Sequence, residues 1–131
     1  MNALSRTFVA LTLAAFGGTT FAANLHCRPD VKVVNEKPAS IKVLKFKYKV
    51  NGSSHTEGLN NRKIAANGDD DTWKSQRLNH VAEGIAITDI AVEFKNDNSG
   101  AGDGYGPAVS TAWFAQTGTC DNDRTYTVTV R

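Results

Sequence analysis

Seven consecutive residues alternate strictly between apolar and basic side chains. The apolar members are Leu44, Phe46, Tyr48 and Val50, and the basic members are Lys45, Lys47 and Lys49. A period of two predicts a β-strand that is buried on one face only, because a helix would scatter the lysines around its circumference. We therefore expect a central strand over residues 40–50, with the rest of the chain organised around it.

Two apolar residues at the start of this strand fall out of phase. Ile41 and Val43 lie on the lysine side of the same count. Either a β-bulge near Val43 resets the alternation, or the first residues of the strand cover a different neighbour. The pattern leaves both alternatives open.

The first residues of the chain have the pattern of an export signal. Arg6 precedes an uncharged apolar run over residues 8–16, and small residues lead up to Ala22. We predict cleavage after Ala22, which leaves one domain over residues 23–131. The apolar run is about half the ~20 residues of a membrane-spanning helix, so we expect a secreted or periplasmic protein with no membrane span.

Charge and cysteine content narrow the classes of partner and site. The 15 basic and 13 acidic residues give a formal net charge of +2, and the predicted cleavage, which removes Arg6, lowers this net charge to +1. Because the basic residues are not clustered with surface aromatics, no nucleic-acid partner is expected. Cys27 and Cys120 predict a single disulfide in an oxidising compartment. This bond would also remove the only thiols that could act as nucleophiles.

Turn signals divide the rest of the chain into further strands. We predict strands at residues 31–34, 73–79, 85–95, 108–116 and 124–131, with a weak one at 62–66. Residues 108–116 are apolar on both faces, which favours a position in the middle of a sheet. Residues 73–79 alternate poorly and could instead form a short helix. A turn is predicted at 51–54, and loops are predicted for the polar run from there to residue 61, for 67–72 and for the glycine-rich 96–107.

About six or seven short strands separated by turns predict an all-β fold, an antiparallel β-sandwich. The immunoglobulin spacing of Cys, Trp and Cys is absent, since both cysteines lie outside the predicted strands. In a seven-stranded sandwich, the segment before the first strand and the connection after the sixth lie at the same end. These segments hold Cys27 and Cys120, so the strand count agrees with the disulfide.

Motifs for catalysis are absent from the sequence, so we expect a protein that is not an enzyme. There is no Gly-x-Ser-x-Gly turn, and no phosphate-binding loop leads into a helix. The histidines, His26, His55 and His80, are not in the spacing of a zinc site.

The acidic loops carry the candidate ligand-binding residues, which are Asp69, Asp70, Asp71, Asp97, Asp103 and Tyr105. Calcium prefers carboxylate and carbonyl oxygens, and the candidate metal ligands are Asp70, Asp97 and Asp103. Strand alternation places loops 67–72 and 96–107 at the same end, opposite the disulfide. The spacing matches no calcium loop motif, so solvated acidic turns are the plainer interpretation. The Tyr105 ring could alternatively stack on a sugar.

The three lysines of the central strand have two interpretations as well. Lys45, Lys47 and Lys49 would stand about 6.6 Å apart and could meet an anionic polymer, or they could form a solvated face that deters edge pairing.

We expect an exported, non-catalytic binding module that acts through its loops. Its ligand would be a carbohydrate or surface polymer, with calcium as a candidate assisting ion. The alternative is a protein-interaction role, as an inhibitor, immunity protein or small secreted toxin.

Overall fold

Two β-sheets packed face to face form the fold in our computed structural model, which describes residues 26–98 and 104–131. The strands are β1 (Asp30–Asn35), β2 (Ile41–Val50), β3 (Ser53–Ile64), β4 (Asp69–Trp73), β5 (Asp89–Asp97), β6 (Tyr105–Ser110), β7 (Phe114–Ala115) and β8 (Thr125–Val130). The predicted β-sandwich is confirmed. The predicted export segment, residues 1–22, lies outside the described residues.

The two sheets differ in width. The smaller has the strand order β4-β1-β8, and the larger has the order β3-β2-β5-β6 with β7 also paired to β5. All of these pairings are antiparallel except that of β1 with β8, which is parallel. Within residues 26–98 and 104–131, no helix is long and apolar enough to cross a membrane.

Strand β2 lies in the middle of the larger sheet, as its alternation predicts. Its register with both neighbours shifts between Val43 and Lys45. Relative to β5, Leu44 is the extra residue of a β-bulge, whereas relative to β3 the additional residues, 59–61, lie in β3. Ile41 and Val43 are therefore buried together with Phe46. The bulge near Val43 is confirmed. The grouping of Leu44 with Phe46 is wrong, because Leu44 is only half-buried at the bulge.

Aromatic side chains join the two sheets in the core. Tyr126, Val128 and Val130 of β8 are buried, as the alternation of the last strand predicts. The ring centroid of Phe46 lies 5.8 Å from that of Tyr48 and 6.2 Å from that of Tyr126. This cluster packs the middle of the larger sheet against an edge strand of the smaller one.

The predicted disulfide between Cys27 and Cys120 is confirmed, and both residues are fully buried. Cys27 precedes β1 and Cys120 precedes β8, so the bond lies where the two parallel strands begin. The Leu78 N–H donates to the Cys27 carbonyl at 3.0 Å, and the Cys120 N–H donates to the Ile85 carbonyl at 2.7 Å. The cysteines therefore also hold the long connection between β4 and β5.

Two segments predicted as loops are strands instead. A turn is present where one is predicted at 51–54, but it has two residues only, Asn51 and Gly52, with φ 49° and 81°. The loop predicted from there to residue 61 is wrong, because β3 pairs with β2 directly after the turn. The three aspartates of 67–72 lie in β4, at an edge of the smaller sheet. An edge strand tolerates adjacent charges because it has one neighbour only.

Two predicted strands are wrong. After Trp73 the chain leaves β4 and forms turns and irregular structure over residues 74–79. Residues 108–116 do not form a central strand, since β6 is an edge strand that ends at Ser110 and β7 has two residues. The apolar pattern there reflects partly exposed side chains, with 37% of Phe114 accessible.

The bulge and the aromatic cluster predict a sharp difference between neighbouring positions of β2. Phe46→Ala should lower the free energy of unfolding by ~3 to 5 kcal/mol, because it leaves a cavity between the sheets. Lys45→Ala, at an exposed position, should change it by no more than ~0.5 kcal/mol. Urea denaturation followed by fluorescence measures both, and equal losses would contradict the assignment of the two faces.

Candidate functional site

Of the predicted ligand-binding aspartates, Asp69, Asp70 and Asp97 lie at the end of the sandwich opposite the disulfide. Asp69 is opposite Asn35, the last residue of β1. Asp97 is the last residue of β5, and its N–H donates to the Ser40 carbonyl at 3.0 Å. A groove of about 410 Å³ at this end is bordered by residues 38–40, 65 and 66, by Asp97 and by Lys63.

The three aspartates of β4 are each engaged by a different partner. The pairs are Asp70 with Lys32 at 3.8 Å, Asp71 with Arg62 at 3.3 Å, and Asp69 with the Ala65 N–H at 3.2 Å. The two ion pairs are exposed, so each contributes about 1 kcal/mol or less to stability. The carboxylates therefore diverge rather than converge on one point.

A calcium site at this end stays a prediction. Asp70 and Asp97 both lie at the end opposite the disulfide, and Asp103 is outside the described residues. In the part of the chain that the structure describes, no three histidine, cysteine, aspartate or glutamate side chains lie close enough together to hold a metal ion.

Tyr105 lies in a strand, not in a flexible loop. It is the first residue of β6 and is opposite Asp97 in the register. The Lys42 Nζ lies 4.3 Å from the centroid of the Tyr105 ring. This contact places the ring on the outer face of the larger sheet, among the lysines.

The outer face of the larger sheet carries six lysines, and we call this surface the cationic face. Its members are Lys42, Lys45, Lys47, Lys49, Lys63 and Lys95. Residues directly opposite each other on paired strands share a face. The register places Lys63 of β3 and Lys95 of β5 on either side of Lys42. Three like charges thus lie side by side, on strands about 4.8 Å apart.

Acidic residues balance one part of the cationic face only. Glu93 is opposite Lys45, and Asp89 is opposite Lys49. The row of Lys63, Lys42 and Lys95 has no acidic residue opposite it in the register. The ion pairs of Lys32, Arg62, Lys74 and Arg131 involve no lysine of this face. Because like charges directly opposite each other destabilise a sheet, this row is unfavourable for folding by itself.

Trp113 lies on the cationic face, between β6 and β7. Its ring centroid is 5.1 Å from the Lys47 Nζ and 4.5 Å from the Lys49 Nζ. The Lys47 ammonium group also donates to the Ser110 hydroxyl at 3.2 Å. With Tyr105 beside Lys42, the face presents two aromatic rings among ammonium groups. Such a surface can contact both the apolar side and the acidic groups of a sugar.

Alternation in the sequence reveals the middle of the cationic face and misses its border. Lys45, Lys47 and Lys49 follow from β2 alone. Lys63 was missed because the polar run before it resembles a loop. Lys95 is predicted on the polar side of its own strand, but nothing in the local pattern connects it to Lys42. That connection depends on the register between β2 and β5.

A second polar cluster lies near the disulfide end, around the buried side chains of Tyr48 and Glu57. The Tyr48 hydroxyl donates to one oxygen of the Glu57 carboxylate at 2.8 Å. The Asn79 backbone N–H and Nδ2 donate to the same carboxylate at 2.6 and 2.8 Å. The His80 N–H donates to the Tyr48 hydroxyl at 3.1 Å, and its ring stacks on His55 with centroids 4.4 Å apart. This cluster anchors the connection after β4 to the larger sheet.

Comparison of the chain with known protein families, with characterised proteins and with solved structures finds no match. Function therefore has to be argued from the surfaces of this molecule. The loop end and the cationic face are the two described surfaces that bear on the predicted binding role. The buried disulfide is compatible with a protein located outside the cytoplasm.

The buried cluster predicts a loss of stability at alkaline pH. Burial and the Glu57 carboxylate raise the pKa of Tyr48 well above its usual value, which is about 10. The folded state therefore favours the neutral phenol, and this contribution is lost as the pH rises above about 10, where the unfolded chain ionises first. Tyr48→Phe should lower the melting temperature at neutral pH. Above a pH of about 10, the melting temperature of this variant should decline less than that of the wild type. An equal decline in both proteins would contradict the role of Tyr48.

The lysine row predicts that removing a charge stabilises the sheet. Lys95→Gln relieves repulsion with Lys42 and should raise the free energy of unfolding by roughly 0.2 to 1 kcal/mol. Lys45→Gln, which loses the attraction of Glu93, is the matched control and should not be stabilising. Added salt should reduce the difference, because it screens exposed charges. Denaturation at low and high salt measures it, and a stabilising Lys45→Gln would contradict the assignment.

Proposed function

We propose that this chain is an exported, non-catalytic binding module whose ligand is an acidic polysaccharide or a similar anionic surface polymer. The observation that carries the proposal is the row of Lys63, Lys42 and Lys95, three ammonium groups with no carboxylate opposite them. This arrangement is unfavourable in the free protein. A ligand with repeated carboxylate or sulfate groups would offset the repulsion. The row therefore destabilises the free protein and favours the ligand-bound state.

The shape of the cationic face favours an extended ligand. Small molecules bind mainly in concave pockets, whereas this surface is the open side of a sheet. From Lys42 to Lys49 along β2 the face extends about 23 Å. A polymer of several sugar units would reach the lysine row and the Trp113 and Tyr105 rings at the same time.

An acidic glycan fits this face better than a nucleic acid does. The formal charge of the chain is only +2, whereas nucleic-acid-binding domains are commonly strongly basic. A disulfide persists in oxidising compartments outside the cytoplasm, which is where surface polysaccharides occur. The proposed location, secreted or periplasmic, and the proposed ligand therefore agree with each other.

The loop end belongs to the same proposal as a second contact region. Lys63 belongs to the lysine row and also borders the groove beside Asp97. A polymer carboxylate could extend from the row into this groove, with calcium as an assisting ion between it and the aspartates. Calcium binding at Asp70 would have to displace Lys32 from that carboxylate.

Calorimetry with polygalacturonate and heparin tests the proposal, with neutral dextran as the negative control. The triple substitution Lys42→Gln, Lys63→Gln, Lys95→Gln should weaken binding about tenfold or more. The triple substitution Arg28→Gln, Lys74→Gln, Arg77→Gln removes the same charge at exposed positions near the disulfide end and should bind almost as the wild type does. Affinity should fall steeply with added salt, since the contacts are ionic.

Three outcomes of this experiment would contradict the proposal. Equal losses in the two triple variants would mean that net charge alone attracts the polymer. Tighter binding to duplex DNA than to either glycan would overturn the ligand class, and release of reducing ends would make the protein an enzyme. Repeating the titration with calcium and with chelator tests the assisting ion, whose effect should disappear in Asp70→Asn, Asp97→Asn.

A further inference from the structure

Three edges of the two sheets carry features that discourage pairing with a further strand. β4 has three adjacent aspartates, and β6 contains Gly106 followed by Pro107. β3 is interrupted at Asn60 and Asn61, whose φ angles are 60° and 53°. Charges, prolines and irregular backbone are the usual means by which proteins protect open sheet edges.

β8 is the remaining edge strand at the border of a sheet, and it has none of these features. Its sequence, Thr-Tyr-Thr-Val-Thr-Val, includes no charge, proline or glycine. It pairs with β1 in an unbroken register from Thr125 to Val130, and its other side has no strand partner among the described residues. A regular, uncharged and open edge is a template for another strand.

The pairing with β1 identifies the backbone groups that remain free. The carbonyls of Arg124 and Val130 accept hydrogen bonds at 2.9 Å from β1 and its flank, from the N–H groups of Asp30 and Glu36. In a parallel pair, the N–H and C=O of one residue point to the same neighbour, so the even-numbered residues of β8 face β1. The groups that point to the open edge are those of Thr125, Thr127 and Thr129.

A groove of about 320 Å³ lies beside this edge, where the three-stranded sheet does not cover the larger one. Val130 and Arg131 form one side of it, and Phe94, Thr111 and Phe114 contribute to the other. Phe114 is 37% accessible. A strand added to β8 would extend the smaller sheet over this part of the larger one.

We propose that a second copy of this chain supplies the added strand, through antiparallel pairing of the two β8 strands about a two-fold axis at Thr127. The two smaller sheets would then form one six-stranded sheet, with a self-complementary interface. Opposite residues in an antiparallel pair share a face, so inward residues must meet inward residues. In this register Thr125 is opposite Thr129, and Tyr126 is opposite Val128.

Charge complementarity favours a second copy as the occupant and selects this register. Immediately before β8 the chain makes a turn, closed by the Arg124 N–H donating to the Asp121 carbonyl at 3.1 Å. A two-fold axis at Thr127 brings this turn, with Asp121 and Asp123, towards Arg131 of the other copy. Among the described residues the Asp123 carboxylate has no ion-pair partner. Arg131 donates from Nε to Glu36 at 2.7 Å, which leaves its terminal N–H groups available. The Arg124 guanidinium, between this turn and β8, donates to the Thr119 carbonyl at 3.1 Å and lies over the Tyr126 ring of its own chain. An acidic turn before β8 and a basic residue after it therefore suit an antiparallel copy of the same strand.

Analytical ultracentrifugation of the mature protein, without glycan, tests this proposal independently of the proposed function. Over a concentration series up to about 1 mM, the wild type should change from monomer to dimer by mass action. Thr127→Pro removes an N–H that points to the open edge and no hydrogen bond within the monomer, so it should fold and dimerise at least about tenfold more weakly. Thr127→Val keeps this N–H and is the matched control.

Charge reversal tests the register. Asp123→Lys should weaken the dimer, and Asp123→Lys combined with Arg131→Asp should restore it, at least in part. A wild type that stays monomeric throughout the series would overturn the proposal and leave the edge to a different protein. A Thr127→Pro dimer of unchanged affinity, or no restoration by the charge-reversed pair, would overturn it too. Circular dichroism of each variant verifies that it is folded.

Discussion

The β-bulge at Leu44 is the constraint on which both the core and the cationic face depend. A strict period of two would place Ile41 and Val43 on the lysine side of β2 and would turn Lys42 towards the core. One extra residue in β2 relative to β5 resets the phase, so Ile41, Val43 and Phe46 are buried together. The same shift brings Lys42 to the outer face. The bulge thereby completes the core and adds Lys42 to the cationic face.

The two sheets differ in the charges on their outer faces and in the protection of their edge strands. The larger sheet concentrates lysines on its outer face, with Glu93 and Asp89 opposite two of them and only lysines opposite Lys42. The smaller sheet has neutral threonines on the outer side of β8 and charges at its β4 edge. Repulsion within the first surface and an unprotected edge on the second are both unfavourable in an isolated monomer. Contact with an anionic ligand would offset the first, and pairing with another strand would offset the second.

The disulfide end and the loop end have different roles in the molecule. At the disulfide end, Cys27 and Cys120 fix the start of β1 and β8, and the Glu57 carboxylate fixes the connection after β4. The Tyr48 hydroxyl, the Glu57 carboxylate and the Asn79 amide group are all used for anchoring the chain. The opposite end is more open, with a groove beside Asp97 and Lys63. The rigid end therefore supports the fold, and the open end lies next to the surface proposed to bind.

Local sequence patterns determined the elements whose side chains alternate. The central strand, the last strand with Tyr126 and Val128 inward, the disulfide and the sandwich class all follow from periodicity and composition. Patterns failed where strand pairing overrides local composition, because β3 is polar and β4 begins with three aspartates, yet both are held by backbone bonds to one neighbour. Only the tertiary structure placed Lys63 and Lys95 beside Lys42 and left one side of β8 open. Register and edge position are relations between strands distant in sequence, and no local pattern contains them.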